Sequence, residues 1–190
     1  MKNYMLEECK RCEDASNFHY GIKGKRADET KLLIVGNRPD SRVEAPVLEI
    51  VDQYEAAFSK TRTCKNIGNL LQFLEMSWED IYWTNLVKCT FPNDREPTTE
   101  EYKSCFEVLK KQIEEFDPRT ILVMGEMPYK LMFHKESKKN SVSKMWGEIL
   151  SYGKTPAMIA PHASRVCVPY CTYSEQERWF MKIKSFLRIS

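Results

Sequence analysis

The chain is expected to be an α/β protein with a mostly parallel sheet covered on both faces by helices. Three features predict this. Short apolar runs of strand length recur along the sequence, amphipathic helical patterns lie between them, and no run reaches the length of a membrane span. Strands that alternate with helices pair in parallel, because each crossover returns the chain to the same end of the sheet.

The four expected strands are "KLLIVG" (31–36), "IYWTNLVK" (81–88), "TILVMG" (120–125) and "PAMIAP" (156–161). Each reads as short and buried. Residues 43–74 read as helical pieces broken near "SKTRTCKN". The clearest helix follows Pro97, where Thr98 and Glu101 have capping-box spacing. Tyr102, Cys105, Phe106, Leu109, Ile113 and Phe116 then share one helical face. Asp117-Pro118 ends it, since a residue before proline avoids the helical region. A last helix is expected over 174–187, with Trp179, Phe180, Ile183 and Phe186 turned inward. With no internal repeat and no low-complexity linker, residues 1–190 are expected to form one domain with a sizeable core.

A net charge of only +2 excludes a protein that coats nucleic acid by bulk electrostatics. The basic clusters Lys23 to Arg26 and His134 to Lys144 read as solvated faces when taken singly, although a few placed charges suffice to hold phosphates. The N-terminus "MKNYMLEECKRCED" lacks the apolar core of a signal peptide. The expectation is a cytoplasmic protein with no membrane partner.

Seven cysteines are many for such a chain, and in a reducing compartment they suit ligation better than disulfides. Cys9 and Cys12 form a CxxC, and Cys89 and Cys105 bracket a proline-containing loop and the first turns of the capped helix. Four thiolates suit one tetrahedral zinc or one iron–sulfur cluster, and spacing does not choose between them. Such a centre would tie down the arm 1–30, which carries little periodicity of its own. Cys64, Cys167 and Cys171 are left over, the last two as an alternative pair.

Ligands of open parallel sheets sit outside the carboxyl ends of the strands. In chain order those ends carry "GNRPD", "TN" before "LVKC", "GEMP" and "PHAS". One polar exit of this kind is ordinary. Four at one edge make a candidate site.

The order CxxC, "LLIVG" with a proline three residues on, "IYWTNLVKC", "PTTEE", Cys105, "DPRTILVMG" and a late histidine resembles the family-four uracil-DNA glycosylases. Those are iron–sulfur proteins within the uracil-DNA glycosylase superfamily, and the resemblance runs from Cys9 onward. It implies a three-layer α/β/α sandwich around a four-stranded parallel sheet. It also implies a [4Fe-4S] cluster on Cys9, Cys12, Cys89 and Cys105, in preference to zinc. The implied partner is DNA with a flipped-out base, and the implied activity is hydrolysis of the N-glycosidic bond to leave an abasic site. As that bond stretches, the departing base gains negative charge, which preorganised dipoles must stabilise.

Residue by residue, Asn85 matches the asparagine that reads the pyrimidine edge. His162 matches the histidine that donates to the base oxygen. Phe58 matches the stacking aromatic, with Tyr54 as the alternative. Gly36 to Asp40 match the motif facing the sugar and the attacking water. Ser164 and Arg165, with Val166, occupy the loop that props open the duplex. No lysine stands in a motif position for a Schiff base, so a monofunctional, monomeric enzyme is expected. Without the resemblance each residue has an ordinary role: Asn85 as a strand-end amide, His162 as a cap or core residue, Phe58 as core, Arg165 as a surface charge.

The site motifs depart from the family pattern. Gly-Glu-Ala-Pro-Gly becomes Gly36-Asn37-Arg38-Pro39-Asp40, so Asn37 can hold a water but cannot act as a base, and Asp40 brings a carboxylate to a neighbouring position. His-Pro-Ala or His-Pro-Ser becomes His162-Ala163-Ser164, and "SKTRTCKNIGN" follows Phe58 in place of a compact Gly-x-Ala-Gly. The expectation is a retained scaffold with altered base specificity, for uracil, another deaminated base or a bulkier modified pyrimidine such as a phage-DNA cytosine. The role is then repair or defence against foreign DNA. The rivals are a catalytically inactive iron–sulfur DNA-binding module and a zinc-stapled α/β protein with an unrelated ligand.

Overall fold

A computed structural model describes residues 12–13, 21–39, 62–161 and 173–189. In chain order the elements are β1 (Ile22–Lys23), α1 (Ala27–Thr30), β2 (Leu32–Gly36), α2 (Arg62–Phe73), β3 (Ile81–Asn85), α3 (Thr99–Phe116), β4 (Thr120–Met124), α4 (Glu126–Met132), α5 (His134–Ser137), β5 (Ile149–Tyr152), β6 (Thr155–Ala160) and α6 (Tyr173–Ile189). They build a six-stranded sheet in the order β1-β3-β2-β4-β6-β5.

The four strands expected from the sequence are its parallel centre, β3-β2-β4-β6. Two antiparallel edges that the sequence did not announce complete it, β1 against β3 and β5 against β6. At two residues β1 is too short to carry a pattern, and β5 is held by a tight return through Gly153 at φ +60. The second expected strand also stops early, at Asn85 rather than 88. There the Leu86 and Val87 amides leave the ladder and donate to the Gly36 and Asn37 carbonyls at 2.8 and 2.9 Å.

Unbroken apolar strands make sense once both faces of the sheet are covered. Leu33, Val35, Ile121, Val123, Ala157 and Ile159 point to one side, into a core shared with Leu109, Ile113 and Phe116 of α3 and Tyr129 and Met132 of α4. Their neighbours Leu32, Ile34, Leu122, Met124, Met158 and Ala160 point to the other, against Ile67, Leu70 and Leu71 of α2 and Ile183 and Phe186 of α6. This is a three-layer α/β/α arrangement. Burying each large aliphatic side chain contributes about 1.5–3 kcal/mol.

Helix α2 starts inside the expected break, at Arg62, and runs unbroken to Phe73, while residues 43–61 lie outside the described residues. Helix α3 begins as expected: the Glu101 amide donates to Thr98 Oγ1 at 3.2 Å, and the Thr98 amide to Glu101 Oε2 at 2.7 Å. Arg95 forks onto the same carboxylate at 2.9 and 2.8 Å. Asp117 closes the helix in the left-handed region, φ 45, just ahead of Pro118. The inward face of α3 differs at two positions: Gln112 is buried, while Phe106 is only partly so.

The described part of the N-terminal arm is held by pairing and charge. β1 adds to β3, and Arg26 reaches Asp80 and Glu79 at 2.7 Å each and Ser77 at 3.1 Å. The cluster Lys23 to Arg26 is therefore spent on internal ion pairs with Asp28, Glu79 and Asp80.

The Arg95 fork, with the Thr98 amide, pulls the Glu101 carboxyl from its ordinary 4.5 to about 2. A depressed carboxyl stabilises the fold fully above its unfolded value and loses that contribution as pH falls through the folded one. The stability gap between the native protein and Glu101→Gln is thus expected to be full above about pH 4.5 and to close toward pH 2, read by thermal unfolding across that range.

Candidate active site

The order of the parallel strands places a switch point between β2 and β4: one crossover leads from β2 to β3 on one side, and the next returns from β3 to β4 on the other. Adjacent crossovers that part in this way leave a crevice at the carboxyl ends of the strands. Gly36, Asn85, Gly125 and Pro161 mark those ends, on one edge of the sheet.

Gly36 and Asn85 are direct register partners across β2 and β3. A Cβ at position 36 would stand 2.4 Å from Asn85 Oδ1, so the Asn85 amide occupies the space that a side chain would take. That close approach is why glycine is needed here. The next residue, Asn37, has its carbonyl fixed by the Val87 amide, and its side-chain Oδ1 is buried without a hydrogen-bond partner among the described residues. A buried oxygen without a donor costs about 1–3 kcal/mol, and a water or ligand group in the crevice would satisfy it. Tyr102 from α3 lies against Asn37; burial raises its hydroxyl, and the Asn37 amide opposes the rise.

Arg38 turns back onto the protein. It reaches the loop between the two cysteines, meeting Asp94 Oδ1 at 2.9 Å, the Asp94 and Arg95 carbonyls at 3.4 Å and Glu96 Oε1 at 3.2 Å. Pro39 is buried behind it.

Behind Asn85 lies a polar network within the core. Lys88 is fully buried, and its Nζ donates to Thr84 Oγ1 at 2.7 Å, to the Asn85 carbonyl and to Gln112 Oε1. Thr84 donates in turn to Gln112 Oε1 at 3.2 Å, and Gln112 Nε2 to the Tyr82 hydroxyl at 2.9 Å. Burial pushes Lys88 down to about 7, opposed by the Cys105 and Cys89 sulfurs. The two thiols are therefore near this lysine, and both are buried. Cys12 packs against the core cluster that contains Cys105. Among the described residues no three side chains of ligating type converge on one point.

Of the residues expected from the sequence, Gly36, Asn37 and Asn85 come together beside the switch point, and Cys89 and Cys105 lie close behind it. Asp40, Phe58, His162, Ser164, Arg165 and Cys9 lie outside the described residues. Sequence reasoning missed Lys88 and Gln112. The signals were present: a lysine inside the apolar run "NLVKC", four residues after Thr84, and a glutamine on the inner face of α3.

Fold and site together define a class, an α/β protein whose ligand crevice opens at the carboxyl edge of a parallel sheet. The family is more specific. The family model described as Uracil DNA glycosylase superfamily matches residues 24–182, and the chain belongs to that superfamily. It is 26% identical over 148 residues, 77% of this chain and 65% of the relative, to a type-4 uracil-DNA glycosylase of Saccharolobus solfataricus, so the match spans about two thirds of that protein. To the type-4 uracil-DNA glycosylase of Archaeoglobus fulgidus it is 26% identical over 186 residues, 94% of this chain and 87% of that one. It is also 28% identical over 133 residues to a DNA polymerase of Bacillus phage SP01, 67% of this chain but 13% of the polymerase. Among the described residues no helix is long and apolar enough to cross a membrane.

The Arg38 fork leads to one expectation of its own. Arg38→Ala should speed backbone amide exchange in residues 92–97 while β2 and β3 stay protected, with a stability loss of about 1 kcal/mol or less because the acidic partners are exposed.

Proposed function

We propose that the chain is a DNA glycosylase that takes uracil, or another modified pyrimidine, out of the duplex and hydrolyses its N-glycosidic bond to leave an abasic site. The observation that carries this reading is the Gly36–Asn85 pair beside the switch point, with the Asn37 oxygen, which has no hydrogen-bond partner among the described residues, next to it. An amide held over a glycine offers a donor and an acceptor to the edge of a flat base, and the missing side chain leaves room for it.

In this reading Asn85 reads the base, and Asn37 Oδ1 accepts a hydrogen bond from the attacking water and orients its lone pair toward C1′. Asp40 supplies the nearby carboxylate for the cationic sugar, and His162 donates to the base oxygen as charge collects there. Phe58 stacks on the base, and Ser164 and Arg165 fill the emptied duplex position. The attack comes from water, since the Lys88 amine is buried and occupied by three acceptors. The protein acts on DNA in the cytoplasm as a monomer, and the modified pyrimidines of phage DNA belong to its candidate substrates.

Cys9, Cys12, Cys89 and Cys105 would hold a [4Fe-4S] cluster. Its support is the donor chemistry: two buried thiols beside a buried lysine, with Cys12 packed on the same core. Such a cluster would supply a crosslink between the arm 1–30 and the loop 89–105. Protein purified without oxygen should be brown, with broad absorbance near about 400 nm; a colourless, zinc-loaded protein would sink the assignment.

The activity is tested on duplex and single-stranded oligonucleotides carrying uracil, hypoxanthine, hydroxymethylated cytosine or glucosylated cytosine, with alkaline cleavage at abasic sites as the readout. Uracil strands are expected to be cut. If no strand is cut while the protein binds DNA, the silent-module reading replaces this one. Asn85→Ala and His162→Ala should each lower excision by about 10²–10³-fold, the usual loss on removing a preorganised group at developing charge. Gly36→Ala should lower it comparably by pushing the Asn85 amide aside. Full activity in Asn85→Ala and His162→Ala would refute the site.

A further inference from the structure

Lys88 is the only fully buried charged side chain among the described residues. Withdrawing an ammonium from water costs several kcal/mol unless each of its protons finds an acceptor. Here three protons meet three acceptors, Thr84 Oγ1, the Asn85 carbonyl and Gln112 Oε1. None of the three is a carboxylate, so the arrangement differs from an ordinary buried ion pair.

The acceptors explain what the lysine holds. Two belong to the last two residues of β3, and the third belongs to α3. The Asn85 carbonyl is thus gripped from the core side by Lys88. From the crevice side the following amides, of Leu86 and Val87, are gripped by the Gly36 and Asn37 carbonyls. With the backbone fixed on both sides, the Cα–Cβ bond of Asn85 has one direction, and its amide lies over Gly36. Gln112 is itself fixed by Tyr82 at 2.9 Å, so the network has no loose end.

The same two segments carry the thiols. Cys89 follows Lys88 directly, and Cys105 stands two turns before Gln112 on the inner face of α3. The two cysteine-bearing segments thus carry both ends of the Lys88–Gln112 hydrogen bond. We propose that Lys88 and Gln112 are positioning residues for base reading, transmitting the placement of the cysteine-bearing segments to the Asn85 amide. This rests on the glycosylase reading above, with Asn85 as the residue that meets the base.

The test uses Gln112→Leu, Lys88→Met and the conservative Gln112→Glu in the full chain. Each variant is checked by thermal unfolding and visible absorbance. Binding is then measured to a duplex carrying 2′-fluoro-2′-deoxyuridine, which resists glycosidic cleavage, and to the same duplex carrying thymidine. Excision is measured on the uracil duplex. Gln112→Leu and Lys88→Met are expected to keep the wild-type absorbance and the wild-type affinity for the thymidine duplex. Their preference for the 2′-fluorouridine duplex should fall about tenfold, the size of one lost base-edge contact. On the uracil duplex KM should rise in step with the lost preference and kcat should fall, while Gln112→Glu, which keeps the acceptor, stays near wild type in both. A folded Gln112→Leu with wild-type preference and kcat overturns the proposal. So does a Gln112→Leu that cannot fold, since the network would then serve core stability alone. A wild-type protein that prefers the 2′-fluorouridine duplex but cuts nothing refutes the enzyme reading and leaves the positioning role to the binding data. A wild-type protein with no preference refutes both.

Discussion

Two backbone hydrogen bonds set the geometry of the whole site: Leu86 N–H to the Gly36 carbonyl and Val87 N–H to the Asn37 carbonyl. They extend the pairing of β2 and β3 beyond the last ladder residues and lock the two strand exits together. Side chains alternate faces along a strand, so a slip of one residue would turn Asn85 away from Gly36. The glycine, the buried Asn37 oxygen and the position of the Asn85 amide all depend on that register. Register is fixed in turn by the apolar pattern, because Leu33 and Val35 must meet one core while Leu32 and Ile34 meet the other.

Most of this was legible in the sequence. The four parallel strands, the Thr98–Glu101 cap, the Asp117 stop and the inward side of α6 announced themselves, because apolar period and capping chemistry are local properties. The edge strands were not legible. β1 is a two-residue pairing made by the docking of α1 and the Arg26 fork onto Asp80 and Glu79, which are more than fifty residues away in sequence. At the site, polar strand ends pointed to Gly36, Asn37 and Asn85. Lys88 and Gln112 stayed hidden, since a lysine near a strand end reads as solvated until its three acceptors are seen.

Three basic residues near β2 and β3 are committed to the protein's own frame. Lys88 serves β3, Arg26 serves the turn before β3, and Arg38 serves the loop 94–96. With a net charge of +2, little general attraction for a polyanion remains. At the described part of the crevice the side chains of Asn37 and Asn85 are neutral amides. Such amides can read both donor and acceptor on a base edge without drawing in phosphate.

Two departures from the family motif, at Asn37 and Arg38, fall on described residues and are structurally linked to the loop 94–96. Replacing glutamate by Asn37 removes a charge at the crevice, and the neighbouring Arg38, in place of a small residue, crosses to Asp94 and Glu96. Those acids lie in the loop bracketed by Cys89 and Cys105, the segment that also carries Tyr102 against Asn37. The motif loop is thus tied to the cysteine-bearing loop at its front by Arg38, and at its back the Gly36 and Asn37 carbonyls hold the Leu86 and Val87 amides just ahead of Cys89. Among the described residues the Arg38 fork, the buried Pro39 and the two backbone hydrogen bonds therefore hold the motif loop from both ends, and Asn37 Oδ1, unbonded there, sits in a rigid frame.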